Sequence, residues 1–214
     1  MMIIGLTGGI GCGKSTVSEY LNEKGFITID FDATMKDLQK PGQPALEEIV
    51  EAFGPEALLP DGTMNRKYVG QIVFSDPEAK KVLDRIMQGH LDVTVTSITD
   101  AFREAGKNVT RETNPDDYLQ KKVIFYDHPL LFEVPYRIDP ADEAWVIDLD
   151  EELRIERVGR RDGRTRQEIL NCMHSQMPRD EKLVRADYVI DNSGTVEDLL
   201  RNVDKALETL SDKV

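Results

Sequence analysis

Two cysteines, one tryptophan and a shortage of positive charge set the first limits on this 214-residue sequence. With only Cys12 and Cys172, a disulfide framework is excluded as the source of stability. The length allows a real hydrophobic core, as one domain or as one domain with a sizeable insertion. Cys12 lies inside a glycine-rich loop that a disulfide would block, which favours a reducing compartment. Lysine and arginine number 27 against 40 aspartates and glutamates, a net charge of −13. Such a chain repels nucleic acid and anionic membranes, so neither is expected as a partner, and small anions must be caught locally. No run of about 18 apolar residues occurs, and the first apolar stretch begins without a charged leader or cleavage site, so a soluble, cytoplasmic protein is expected. The guanine-reading pattern Asn-Lys-x-Asp is also missing, which argues against a GTP-driven switch. Asp191 to Gly194 fits Asp-x-x-Gly, but it lies too late in the chain for that role.

What is present is a complete phosphate-binding signature. Gly8-Gly9-Ile10-Gly11-Cys12-Gly13-Lys14-Ser15 matches G-x-x-x-x-G-K-[ST], between the apolar run Met2 to Leu6 and a helical pattern carrying Val17 and Leu21. Glycines let the backbone turn its N–H groups inward, and the following helix aims its positive end at the same point. Lys14 is then placed to reach the β- and γ-phosphates of a nucleoside triphosphate, and Ser15 to offer its hydroxyl to magnesium. Cys12 either has a depressed pKa beside Lys14 and the helix start, as a redox sensor would, or fills a permissive position.

Further along, Phe26 to Ile29 reads as a second strand ending in Asp30-Phe31-Asp32. Two carboxylates at a strand end suit a site outside the carboxyl edge of a parallel sheet; either could instead cap the next helix. From Ala33 to about Ala105 the strand signals disappear, and short helices follow the breaks at Pro41-Gly42, Pro60-Asp61-Gly62 and Asp76-Pro77, the last ending at Gly89-His90. His90 is a ligand-phosphate contact or a capping residue. Residues 106–122 are polar and aperiodic, as in a long exposed loop. Val123 to Tyr126 and Ala144 to Ile147 read as the third and fourth strands, ending in Asp127 and Asp148; Asp127 is the better metal- or water-orienting candidate, unless it serves the turn before Pro129. Between Arg154 and Arg166, six arginines face only Glu156 and Asp162, a local charge of +4. Guanidinium forks bind phosphoryl oxygens and stabilise charge developing in transfer, so these residues form a lid over ATP or a solvated face paired to acids at helical spacing. Tyr188 to Ile190 is the fifth strand, and a final amphipathic helix, capped by Thr195, covers the sheet.

The ordered set of motifs resembles the dephospho-coenzyme A kinase family. It is carried by Gly5 to Thr16, Ile29 to Asp32, Pro41 to Leu46, Pro60 to Gly62, Val73-Phe74, Pro129 to Glu133, Arg161-Asp162, Ser175-Gln176 and Ala186 to Gly194. The resemblance implies an α/β fold: a P-loop nucleoside-monophosphate-kinase-like core with a five-stranded parallel sheet, over 1–32 and 107–214. It also implies a helical acceptor-binding domain inserted over 33–106 and an arginine-rich lid near 154–170. The implied reaction is ATP-dependent, magnesium-assisted phosphorylation of the ribose 3′-hydroxyl of dephospho-coenzyme A, the last step of coenzyme A synthesis; a P-loop kinase for another small acceptor is the alternative. Asp32 corresponds to the family's proposed base. ATP would lie on Gly8, Gly9, Ile10, Gly11, Cys12, Gly13, Lys14, Ser15 and Thr16 with lid residues Arg157 and Arg161, and the acceptor on Asp30, Asp32, His90, Asp127, Pro129, Leu130 and Leu131. This chain departs from the family pattern in having Phe31 between the two aspartates, Gly89-His90-Leu91 in place of a His-Pro, a longer 106–122 stretch, and His128.

Overall fold

The computed structural model describes residues 1–133 and 140–214. In chain order, β1 (Met2–Gly8), α1 (Lys14–Glu23) and β2 (Ile27–Asp30) are followed by α2 (Phe31–Asp37), α3 (Pro44–Phe53), α4 (Arg66–Ser75), α5 (Pro77–Gly106) and α6 (Tyr118–Lys122). Then come β3 (Val123–Asp127), β4 (Glu143–Asp148), α7 (Glu151–Asp162), α8 (Arg166–His174), α9 (Arg179–Arg185), β5 (Tyr188–Asp191) and α10 (Val196–Leu210). The described residues fall into two compact units, one of 1–29, 99–133 and 140–214, the other of 30–98.

The first unit is built on one five-stranded sheet in the order β2-β3-β1-β4-β5. β1 pairs in parallel with β3 and β4, and β4 with β5, with Ile4 opposite Phe125, Leu6 opposite Trp145 and Ile147 opposite Ile190. Strands covered on both faces are apolar throughout, which is why β1 and β3 read as continuous hydrophobic runs. Parallel pairing brings Gly8, Asp127, Asp148 and Asp191 to one edge, the carboxyl edge, where open sheets of this type bind ligands. Below that edge, Phe125 packs edge-on to Phe26 and Trp145 at 5.4 and 5.5 Å between ring centres. α10 adds Leu199, Val203, Ala206, Leu207 and Leu210 to this core, and a reciprocal Thr195–Asp198 capping box starts it. A small separate cluster of Ile155, Val158, Ile169 and Met173 joins α7 to α8.

In the second unit, α3 buries Ala45, Leu46 and Ile49, and α5 buries Ile86, Met87, Leu91 and Val95. The expected helix stop at Gly89-His90 does not occur: α5 runs 30 residues straight through it. Met87, Leu91 and Val95 recur every four residues and are almost fully buried, which outweighs the roughly 1 kcal/mol that one interior glycine costs. The expected loop over 106–122 is likewise shortened, because α6 forms its last turn. Tyr118 there lies under the cations of Arg111 and Lys122 at 5.2 and 5.7 Å, and Lys122 donates to the Gly106 carbonyl at 2.9 Å. A five-residue helix held in this way carries no periodicity to read. Among the described residues no helix is long and apolar enough to cross a membrane.

A Cβ added at Gly89 would have no heavy atom within 4 Å. Gly89→Ala is therefore expected to stabilise the protein by about 0.5–1 kcal/mol, read as a higher melting temperature. A lower melting temperature would contradict an unbroken α5.

Candidate active site

The loop between β1 and α1 encloses its own backbone donors. Gly11 and Gly13 take φ of +79° and +95°, values that side chains rarely adopt, and these reversals let the chain curl before α1 begins. Gly13 is the N-cap of α1 and supplies no side-chain oxygen, so the helix start is left to whatever anion the loop holds. The loop is also clasped from outside. Asn192, buried at the end of β5, donates through Nδ2 to the Cys12 carbonyl at 2.7 Å, and its own N–H donates to the Asp148 carbonyl at 2.9 Å. A Cβ at Gly13 would fall 2.3 Å from that amide nitrogen. On the other flank, Gln176 accepts from the Ile10 N–H at 3.1 Å.

Lys14 forms an ion pair with Asp127, which also accepts from the Ser18 hydroxyl. Asp127 is thus a buried carboxylate held at the end of β3 by two groups of α1, next to the loop it was expected to serve. Ser15 is exposed in the first turn of α1, with Thr16 partly exposed beside it. Cys12 is fully enclosed, and burial pushes its thiol above the ordinary range despite the positive charges of Lys14 and Arg154. The redox-sensor reading is therefore corrected: a depressed pKa needs an exposed thiolate, and this thiol is neutral packing.

After Asp127 the chain turns tightly. His128 donates its N–H to the Leu6 carbonyl and accepts from the Leu130 N–H on Nδ1, both at 2.9 Å. Burial first, and the Lys14 charge second, lower its pKa to about 4. Thr7 donates to the Pro129 carbonyl at 3.2 Å, while Leu131 packs on Gly5, where a Cβ would lie 2.6 Å from a leucine methyl.

The arginines divide. Arg160 pairs with Glu156, Arg166 with Glu152 and Arg161 with the adjacent Asp162, all on the exposed surface. Arg157 donates to the Asn192 carbonyl at 3.2 Å, so it reaches the clasp itself. Arg179 grips Asp148 with two bonds of 2.6 and 2.7 Å, and the buried Lys182 pairs with Glu133 at 2.7 Å. Asp150 caps α7 by accepting from Glu152 N–H. In the second unit, Asp30 caps α2 through the Ala33 N–H at 2.9 Å, Asp32 is exposed in that helix's first turn, and His90 bonds Glu48 at 2.8 Å.

The Dephospho-CoA kinase family model matches residues 2–198. The chain belongs to the dephospho-CoA kinase family. It is 40% identical over 205 residues to a dephospho-CoA kinase of Geobacter sulfurreducens, covering 96% of each chain. Among solved structures it resembles TT1252 of Thermus thermophilus, with a TM-score of 0.73, 31% identity and 98% and 97% of the two chains covered. It is also similar to the dephospho-CoA kinase of Campylobacter jejuni, with a TM-score of 0.64, 26% identity and coverage of 99% and 98%. Sequence reasoning missed the contacts that Asn192, Gln176, Ser18 and the Arg179–Asp148 pair make around the phosphate loop and the carboxyl edge, since each joins residues distant in sequence. Gln176 and Asn192 lie within motifs that carry the family resemblance, and that was the available signal.

The low pKa of His128 has a pH consequence. The folded chain keeps His128 neutral down to about 4, whereas the unfolded chain binds a proton near 6.5. Stability is therefore lost as pH falls through this window, by up to roughly 3 kcal/mol in all, and is retained above it. Urea unfolding of the wild type and of His128→Asn between pH 7 and pH 4 should show a shallower decline for the variant. Parallel declines would contradict a buried neutral imidazole.

Proposed function

We propose that the chain uses ATP to phosphorylate the ribose 3′-hydroxyl of dephospho-coenzyme A, giving coenzyme A and ADP. The observation that carries this reading is the intact phosphate loop, uncapped at α1 and clasped by Asn192, in a chain that follows the dephospho-CoA kinase family over residues 2–198. Backbone N–H groups of the loop hold the β- and γ-phosphates, and Lys14 leaves Asp127 to neutralise them. Asp127 is then held by Ser18 and orients polar groups at the strand edge.

Ser15 is the residue here that would hold magnesium, since its exposed hydroxyl is a hard oxygen donor in the first turn of α1. When bound, the ion offsets the negative charge of the phosphates. Arg157 and Arg161 serve as lid arginines; Arg157 works beside the clasp, and Arg161 exchanges Asp162 for phosphoryl oxygens. The helical unit supplies the acceptor site, with Asp32 taking the proton of the hydroxyl and Asp30 fixing the turn that presents it.

General-base catalysis contributes about 10²- to 10⁴-fold, while phosphoryl transfer depends mainly on positioning and charge. Asp32→Asn is expected to slow single-turnover transfer by roughly 10²- to 10³-fold with nearly unchanged ATP affinity. Lys14→Ala is expected to fold and lose turnover. An Asp32→Asn rate within about threefold of wild type would make Asp32 a helix-terminus residue only. Thermal shifts with dephospho-CoA, AMP and shikimate test the acceptor, since a true ligand raises the melting temperature by mass action.

A further inference from the structure

Five of the six arginines between 154 and 166 are exposed; Arg154 is buried, with 7% of its surface accessible. Its Nε has no hydrogen-bond partner, and among the described residues no carboxylate pairs with it. Burying a guanidinium without an acceptor is strongly unfavourable unless an anion arrives to meet it. Its position adds to the cost, because it sits in the opening turns of α7, where the helix dipole repels a cation and attracts an anion.

The side chain is directed at the phosphate loop. Its Nη1 lies so close to Gly9 that a Cβ there would stand 2.1 Å away. Arg154 lines two openings. One is lined by Gly9, Cys12, Asp148, Arg179 and Lys182; the other is a cleft of about 450 Å3 beside His174, Gln176 and Pro178. The remaining cations of the first opening are already satisfied, Arg179 by Asp148 and Lys182 by Glu133. Of the acids within four residues of it, Asp150 caps the helix, Glu152 pairs with Arg166 and Glu156 with Arg160, and Glu151 is exposed with no bond to Arg154. The site therefore holds one desolvated positive charge against the loop backbone, with its acceptor to be supplied by a ligand.

We propose that Arg154 is a phosphate-binding residue, contacting phosphoryl oxygens of a bound substrate from the Gly9 side of the loop. This rests on the reading of the loop as the triphosphate site. The shared chemistry is a phosphoryl oxygen, and its sources are the terminal phosphate of ATP, the inner phosphates, or the pyrophosphate of the acceptor.

The test uses the full chain with Arg154→Met, which keeps length and removes charge, and Arg154→Lys, which keeps charge and loses the fork. Calorimetric binding of a non-hydrolysable ATP analogue, ADP and dephospho-CoA is measured separately, together with the melting temperature without ligand. We expect Arg154→Met to weaken at least one of the three by roughly 10- to 100-fold, the range of a charge-assisted hydrogen bond, with partial recovery in Arg154→Lys. Loss for the ATP analogue alone assigns the terminal phosphate; loss for ADP as well assigns the inner ones; loss for dephospho-CoA alone assigns the acceptor. Without ligand, Arg154→Met should melt at or above the wild type, because an uncompensated buried charge has been removed. Weakening of less than tenfold for all three, or a lower ligand-free melting temperature, would overturn the proposal by marking Arg154 as packing. A wild type that binds none of the three would sink the kinase reading instead, so the two failures are distinguishable.

Discussion

The site depends on the hydrogen bond from Asn192 to the Cys12 carbonyl. A phosphate loop must expose many backbone N–H groups in one direction, which leaves its carbonyls facing the protein interior, where an unmet acceptor costs about 1–3 kcal/mol. Asn192 meets one of them at 2.7 Å, and its own backbone is tied to Asp148 on β4 and to Arg157 on α7. Through this one residue, by side chain and backbone together, the carboxyl edges of β4 and β5, the phosphate loop and the arginine helix are registered to each other. Gly13 follows from the same contact, since both its left-handed backbone and the approach of the Asn192 amide exclude a side chain.

Around that clasp the protein manages charge by pairing. The chain carries a net −13, yet its catalytic edge has to attract polyphosphate. It does so by placing Lys14, Arg154, Arg179 and Lys182 at one edge of the sheet, where, among the described residues, Asp127, Asp148 and Glu133 pair with all of them but Arg154. Pairs of this kind fix side-chain geometry, and they are exchangeable when a stronger anion enters. The exposed pairs on α7 and α8 contribute little to stability.

The sequence disclosed the parts of the fold that local chemistry dictates. β1, β3, β4 and β5 were legible as short apolar runs, and the loop from Gly8 to Ser15 as a spacing that phosphate demands. The ordered motifs identified the family. α5 was not legible, because Gly89-His90 is a stop signal only where no buried face overrides it, and Met87, Leu91 and Val95 supply one. The arginine cluster could be seen as charge, but not sorted: Arg154, Arg160 and Arg166 differ in burial and partner, which α7 and α8 decide when they pack. Asn192 and Gln176 escaped because an amide's role lies wholly in the distant backbone group it meets.

Phosphorus NMR of the wild-type chain with ATP, magnesium and dephospho-coenzyme A tests the central claim most directly. The account predicts that ATP is converted to ADP one for one with the appearance of a new phosphomonoester on the ribose 3′-oxygen. ATP consumed to ADP and inorganic phosphate, with dephospho-coenzyme A unchanged, would contradict it.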